Sequence, residues 1–388
     1  MEWVRLEDVF DISIGKTPSR SKYEYWGKGH TWISISDLDN KYIYDSKEEI
    51  TDLAIIDTNI KLVPKNTVIM SFKLSIGKVG ITKKDLYTNE AIAHFIPKND
   101  IDLDYTYYAL KSINYDRYVD KAVKGKTLNK KKLNQIKIPL LNKNKQIVLS
   151  EILLKLENLI ENRKEQIQAY DDLIESLFFE IINKSSINEV SFDDMFEIID
   201  GDRGKNYPKK NDLLEEGYCL FLNTKNVTKT GFKFDQQEFI TKEKDEKLRK
   251  GRAKKGDFIL TTRGTVGNIA YIDENIEFKN IRINSGMVIL RKKLNINPKF
   301  FEVLIRETDI LLKAKSGSAQ PQLPIKSLKK ILIPTVDIEL QNKFADYVIK
   351  IEEEKKKLSW SLAQLETLFD ALMQDAFSGN LFKDWEGR

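Results

Sequence analysis

Two halves of this 388-residue chain repeat one another. Leu128, Leu133, Ile136, Ile138, Pro139 and Gln146 recur 195 positions later as Leu323, Leu328, Ile331, Ile333, Pro334 and Gln341. The first half opens Val4-Arg-Leu-Glu-Asp-Val-Phe-Asp-Ile and the second Val190-Ser-Phe-Asp-Asp-Met-Phe-Glu-Ile. A middle block, Lys65 to Gly77, matches Lys255 to Gly267. Three blocks in the same order mean one architecture built twice, and a long-period repeat of this kind governs every later assignment.

Each half ends in a heptad stripe. Leu149, Leu153, Leu156, Ile160, Arg163, Ile167, Tyr170, Ile174, Leu177 and Ile181 step by four and three, and only Arg163 is not apolar. The copy reads Phe344, Val348, Ile351, Lys355, Leu358, Leu362, Leu365, Phe369, Leu372 and Ala376, with Lys355 the one exception. A 3.5-residue apolar repeat with Lys and Glu elsewhere is the pattern of a coiled-coil strand. About 38 residues of helix span ~57 Å. With a globular module between the two helices, an antiparallel pair is expected, with one module at each end of a rod. The alternative is an amphipathic helix lying on its own module. The expected division is 1–142, module one; 143–187, first helix; 188–337, module two; 338–380, second helix; and 381–388, a tail.

The modules read as mixed α and β, so the fold class is α+β. Thr31–Ile35, Thr67–Phe72, Asp257–Thr261 and Gly286–Leu290 have strand composition. Helices are expected from Tyr105 and from Pro298, the latter with proline at its first position. The Ile-x-Ile-Pro elements at 136–139 and 331–334 read as short strands stopped by proline.

Catalytic chemistry is hard to place. Gly15-Lys-Thr and Gly125-Lys-Thr lack the P-loop glycine five positions earlier, where Phe10 and Asp120 stand. Two histidines and one cysteine cannot build a Cys/His metal cluster. His94, in an apolar strand, reads as a satisfied core residue. No dinucleotide fingerprint follows a strand, and no carboxylate spacing nominates an acid–base pair. No apolar run reaches 18 residues, which argues against a transmembrane helix. No signal-peptide core follows Met1, and Cys219 alone forms no intrachain disulfide, so a reducing compartment is expected.

Charge instead suggests a polyanion. The net charge is only +5, but from Lys121 to Ser150 there are nine lysines and no carboxylate: 121, 124, 126, 130, 131, 132, 137, 143 and 145. The stretch from Leu311 to Val336 has Lys313, Lys315, Lys326, Lys329 and Lys330, and Lys247 to Lys255 adds six basic residues. Such lysines would neutralise phosphates without reading sequence. Sequence reading would fall to Ser71, Lys73, Ser75 and Lys78 around Gly77, and to their counterparts Thr261, Arg263, Thr265 and Asn268 around Gly267. An ordinary hairpin with polar tips is the alternative.

The combination resembles the specificity (S) subunit of type I restriction-modification systems over residues 1 to about 380. The resemblance is carried by Gly15-Lys-Thr-Pro-Ser, Tyr25-Trp26, Trp32-Ile33 and Ser36-Asp37-Leu38. Completing it are the Leu-x4-Leu-x2-Ile-x-Ile-Pro element, Gln146 or Gln341, and a long helix in each half. The second half departs from the opening pattern, with Gly201-Asp-Arg-Gly-Lys and Asn223-Thr-Lys-Asn-Val, which implies a different half-target. The resemblance implies two target-recognition domains held apart by two antiparallel helices, each domain reading half of a bipartite site in double-stranded DNA. It implies no catalysis and no cofactor in this chain. Two modification subunits would methylate adenine with S-adenosylmethionine. Restriction (motor-nuclease) subunits would use ATP and Mg²⁺. A cytoplasmic location is expected.

The candidate DNA-contacting residues of the first half are Lys16, Thr17, Ser19, Arg20, Ser36, Ser71, Lys73, Ser75, Lys78, Lys126, Lys130 and Lys131. Those of the second are Arg203, Lys205, Asn223, Lys225, Asn226, Thr261, Arg263, Thr265, Asn268, Ser318 and Gln320. The apolar stripe residues above are the candidate helix-pairing set. A specificity chain for a methyltransferase without a motor, and a paired-helix scaffold that binds no DNA, are the alternative readings.

Overall fold

The computed structural model describes residues 2–118, 128–185, 187–316 and 321–381; the side chains of 312 and 313 are also outside the description. The chain forms two compact units, residues 1–164 with 360–388, and residues 165–359.

The first unit holds a five-stranded sheet in the order Phe10–Ile14, Ile92–Pro97, Val68–Ser71, Val79–Thr82, Tyr42–Ile43. Only its last pair is parallel. A three-stranded sheet of Glu48–Ile50, Trp26–Ile33 and Tyr87–Thr88 stands with it. The second unit has two four-stranded sheets. One runs Phe196–Asp200, Met287–Lys292, Asp257–Thr261, Ile269–Tyr271; the other runs Phe239–Ile240, Cys219–Leu222, Ile281–Ile283, Arg252–Ala253.

Two of the three repeated sequence blocks are partners in space. The opening strand Glu2–Arg5 pairs antiparallel with Lys137–Leu140, setting Val4 opposite Ile138. Asn188–Ser191 pairs likewise with Leu332–Thr335, setting Val190 opposite Ile333. Each module is thus closed by a ribbon that joins its first residues to the segment entering the long helix. Proline does not stop these strands, as the sequence suggested. Pro139 and Pro334 sit inside them, opposite Trp3 and Glu189. A two-stranded ribbon has an open edge on each strand, where a missing N–H breaks no ladder.

The long helices run Lys143–Lys184 and Ile338–Ser378, 42 and 41 residues. Every position of both heptad stripes is buried or half-buried. In the first unit, Leu149 and Leu153 share a core with Ala376, Phe377, Tyr105 and Tyr108, flanked by Phe369 and Leu372. In the second, Ile174 and Phe178 share one with Phe344, Val348 and Phe300. The ring of Phe178 lies 6.0 Å from Phe344, and Asp171 bonds Lys355 two turns away, so the helices run antiparallel there.

The repeated glutamine has a definite task. Buried Gln146 accepts the backbone N–H of Asp102 at 2.7 Å and donates to the Leu141 carbonyl at 2.7 Å. Gln341 does the same with Asn297 (2.9 Å) and Val336 (2.7 Å). Asp102 and Asn297 are the N-caps of the module helices Leu103–Lys111 and Pro298–Glu307, and their side chains accept backbone N–H groups in the first turn. One glutamine therefore ties the start of each long helix to the start of a module helix. A second tie repeats 195 positions apart. Glu157 accepts from Tyr108 at 2.7 Å and Lys111 at 3.0 Å, and Glu352 lies 2.9 Å from Lys299.

Candidate nucleic-acid interface

In each module the predicted polar segments converge on one turn. In the first this turn begins at Asn89, whose side chain accepts the Ala91 N–H at 3.0 Å. Gly15 donates to the Ile92 carbonyl at 3.1 Å, Phe72 to the Ala91 carbonyl at 2.9 Å, and Asn89 to the Ile33 carbonyl at 2.9 Å. The segments 15–20, 34–36 and 71–78 are thereby gathered around 89–92. In the second module Asn284 accepts the Gly286 N–H at 2.9 Å. Arg263 donates to the Gly286 carbonyl at 3.1 Å, Asn284 to Leu222 at 2.9 Å, and the Arg203 guanidinium to Ser285 at 3.4 Å. Asn89 and Asn284, hubs that sequence reading passed over, are separated by the same 195 positions as the recognised repeats.

Glycine is required where these segments touch. A side chain on Gly15 would bring its Cβ within 2.1 Å of Thr88 Oγ1, and one on Gly201 within 2.3 Å of the Asn284 carbonyl. This accounts for the glycine that opens each motif.

The first opening loop is held by its own tryptophans. The Trp32 indole donates to the Lys16 carbonyl at 3.1 Å and Trp26 to the Ser19 carbonyl at 3.2 Å. The Arg20 guanidinium lies 3.7 Å from the Trp26 ring centroid and bonds both oxygens of Glu48. That bond holds the Glu48 carboxyl below its ordinary range. Lys16 donates to the Thr58 carbonyl at 2.6 Å, Thr17 bonds Glu90, and Ser19 bonds Ser21. Lys16, Thr17, Ser19 and Arg20 thus shape this loop while Lys16, Ser19 and Arg20 stay exposed at its surface. Ser36 is exposed, its hydroxyl 2.8 Å from that of Ser34.

The two hairpin loops, 71–78 and 261–268, share one construction. The Ser71 hydroxyl donates to the Ser75 carbonyl and accepts the Lys78 N–H at 3.1 Å. Thr261 donates to Thr265 and accepts from Asn268 at 3.0 Å. Gly77 (φ 90°) and Gly267 (φ 100°) donate to the Ser71 and Thr261 carbonyls at 2.9 and 3.0 Å. These left-handed conformations suit glycine. Ser71 and Thr261 are fully buried, so they form the clasp and cannot meet a ligand. Asn226 is buried too, donating to the carbonyls of Lys233 and Gln236. Lys78 is engaged by Asp39 at 2.8 Å, and Asn268 by the Val227 carbonyl at 2.9 Å. Ser75, Arg263 and Thr265 are exposed and Lys73 half-exposed.

The basic runs are partly neutralised. Lys143 meets Asp100 at 2.7 Å, Lys329 meets Asp193 at 2.9 Å, and Lys255 meets Glu274 at 3.0 Å. Arg252 and Arg282 converge on Asp245, which is wholly buried. Arg282 also donates to the carbonyls of Lys250 and Leu248 at 2.7 and 3.0 Å, fixing the fold of the 245–252 segment. Nearby Cys219 is buried, which pushes its thiol up to about 12, far from a reactive thiolate. Lys130 and Lys131 remain exposed on the helix Lys130–Gln135, which follows a backbone bond from Leu128 to the Phe72 carbonyl at 3.1 Å. Lys205 and Lys225 are exposed; Arg203 pairs with Asp200 at 3.1 Å, and Asn223 donates to Glu238 at 3.1 Å. Lys121, Lys124, Lys126, Ser318, Gln320 and the side chain of Lys313 lie outside the described residues. Among the described residues no cluster of His, Cys, Asp and Glu could hold a metal ion, and no helix is long and apolar enough to cross a membrane.

A family model described as the type I restriction modification DNA specificity domain matches residues 1–169 and again 184–360. The chain belongs to this family. The two matches fall on the two sequence repeats, so each half is one copy of the specificity domain. The type I restriction enzyme MjaIX specificity subunit of Methanocaldococcus jannaschii is 27% identical over 97% of this chain and 92% of its own length. The EcoR124I/EcoR124II specificity subunit of Escherichia coli is 30% identical over 45% of this chain and 48% of its own. The crystal structure of the type I restriction-modification S subunit from M. genitalium shares the fold at TM-score 0.58 and 20% identity, covering 97% of this chain and 96% of that one. A chain from a study of complex assembly and conformational transition of the type I R-M system gives TM-score 0.63 at 14% identity, covering 98% of both. Members of the specificity-domain family are recognition components of type I restriction-modification systems and not catalytic ones.

Proposed function

We propose that this chain reads a bipartite site in double-stranded DNA, one half-site per module, and presents it to partner subunits. The modules are taken as residues 1–142 and 188–337. Two modification subunits would methylate adenine with S-adenosylmethionine, and restriction subunits would translocate and cleave with ATP and Mg²⁺, all in the cytoplasm. The observation that carries the reading is the pair of hairpin loops. They are fastened by the same hydrogen bonds yet expose different side chains, Lys73 and Ser75 in one and Arg263 and Thr265 in the other. One frame with exchangeable tips is what two readers of different half-sites require. A cation and a hydroxyl at each tip suit base edges and phosphates. Lys130 and Lys131, beside the first loop, suit phosphates alone.

Mutagenesis tests the division of labour. Lys130→Ala with Lys131→Ala should weaken binding to every duplex alike and lower the salt slope by about 1 to 2. Arg263→Ala should reduce discrimination at one base pair of the second half-site by about 1–3 kcal/mol. Fluorescence anisotropy on the mapped motif and on scrambled duplexes, across a salt series, measures both. Equal weakening on all sequences by Arg263→Ala would make that residue a phosphate contact.

A further inference from the structure

We infer that Leu74 is an apolar base reader, contacting the C5 methyl group of a thymine in the half-site bound by the first module. The inference rests on the DNA-recognition reading above. It starts from a conformational outlier. At the fourth residue of each clasped loop the backbone turns left-handed, with φ 59° at Leu74 and 71° at Gly264. For Gly264 this is unopposed. For Leu74 it presses Cβ toward the following carbonyl, a conformation that only glycine and, less often, Asn or Asp adopt routinely.

The loop does not need the leucine, because the second module closes the same loop around glycine with the same bonds. The core does not need it either: Leu74 is 72% exposed, standing among the exposed tip residues and outside every buried cluster of its unit. A branched apolar side chain is therefore held out into water in a disfavoured backbone state. The clasp of Ser71 on Ser75 and Lys78 holds the loop in this shape from both sides. Strain that the surroundings enforce, at a position with no packing role, points to a binding role.

The chemistry of the side chain selects its target. Lys73 and Ser75, on either side, can serve phosphates and base edges. Leucine can serve neither, and the apolar group that the major groove presents is the thymine methyl. Gly264, with no side chain at the same place, leaves the second loop's tip to Arg263 and Thr265. The two modules thus differ in the kind of base feature their loops can detect.

The test uses the chain assembled with its modification subunits and duplexes carrying the recognition motif found by methylation mapping. Each thymine of the first half-site is replaced in turn by uracil, which removes only the methyl group. Wild type should lose roughly four- to tenfold in affinity at one such position, the effect of one buried methyl or slightly more. Leu74→Gly and Leu74→Asn, both compatible with the left-handed backbone, should bind thymine and uracil duplexes alike. Their melting temperatures should not fall below that of wild type. Uracil in the second half-site should not distinguish the variants from wild type. Indifference of the wild type to every uracil would overturn the inference, as would a full uracil penalty in Leu74→Gly. So would a loss in Leu74→Gly that is independent of the methyl, the signature of a wedge between base pairs. A complex with no preference for the mapped motif over a scrambled duplex would instead remove the DNA-recognition reading, and the inference with it.

Discussion

His94 shows how a single side chain can be read correctly for its place and still hide its partners. Its sequence setting, an apolar strand, marks it as a core residue, and it is 1% exposed. Its Nδ1 lies 2.9 Å from the Ser13 hydroxyl and its Nε2 2.6 Å from that of Thr88, partners 81 and 6 positions away. Burial, aided by the charge of Lys61, lowers its pKa from 6.5 to about 4. The folded state therefore holds it neutral where the unfolded chain takes up a proton. Its contribution is complete above pH 6.5 and is lost as the pH falls toward 4, a change of about 3 kcal/mol. Denaturant titrations at pH 7 and pH 4.5 should show a smaller acid-induced loss for His94→Gln than for wild type; equal losses would mean the imidazole is not held neutral. The loop residues were less legible. Ser71 and Thr261 have the composition of readers, but a hydroxyl beside a tight turn can bond its own loop, and only the fold shows that both do. Arg20 likewise has the composition of a free cation, and its partner Glu48 is 28 positions away.

At the scale of elements, the 3.5-residue period carried its information well. The stripe is buried or half-buried along both long helices, because an apolar seam gives such a helix one continuous face to bury. Leu153 is fully buried among the core of the first unit, whereas Leu159, off the stripe, is 49% exposed. Leu153→Ala should cost about 2–5 kcal/mol, by lost transfer energy plus the cavity left behind. Leu159→Ala should fall within about 0.5 kcal/mol of wild type. Urea midpoints of the two variants decide it; similar costs would mean that the seam does not select one face. The ribbons and ties were legible only as repeats. That Val4 recurs as Val190 and Ile138 as Ile333 is visible in the chain, but their pairing spans 134 and 143 positions, which no local pattern encodes. Glu157 and Glu352, and Asn89 and Asn284, carry the same 195-residue spacing as the glutamines, so the repeat held more than its apolar letters. In the basic runs it was the partners of some lysines that the local sequence did not show. Acidic partners such as Asp100 and Asp193 lie far along the chain, so the surface is less positive than a window of sequence suggests.

At the scale of the whole molecule, each unit has its own cores. The residues gathered around Phe10, Tyr105 and Leu149 all belong to the first unit, and those around Phe196, Phe300 and Phe344 to the second. Each module is closed by its own ribbon and fixed to the long helices by its own glutamine and glutamate. Nothing in these ties requires one module's side chains to build the other, so each should read DNA independently. Exchanging residues 1–142 for the equivalent module of another specificity subunit puts this to the test, with the adenine methylation of the host genome sequenced before and after. One half of the methylated motif should change to that of the donor, while the other half keeps its bases. A swap that altered both half-sites together would contradict the account of two independent readers.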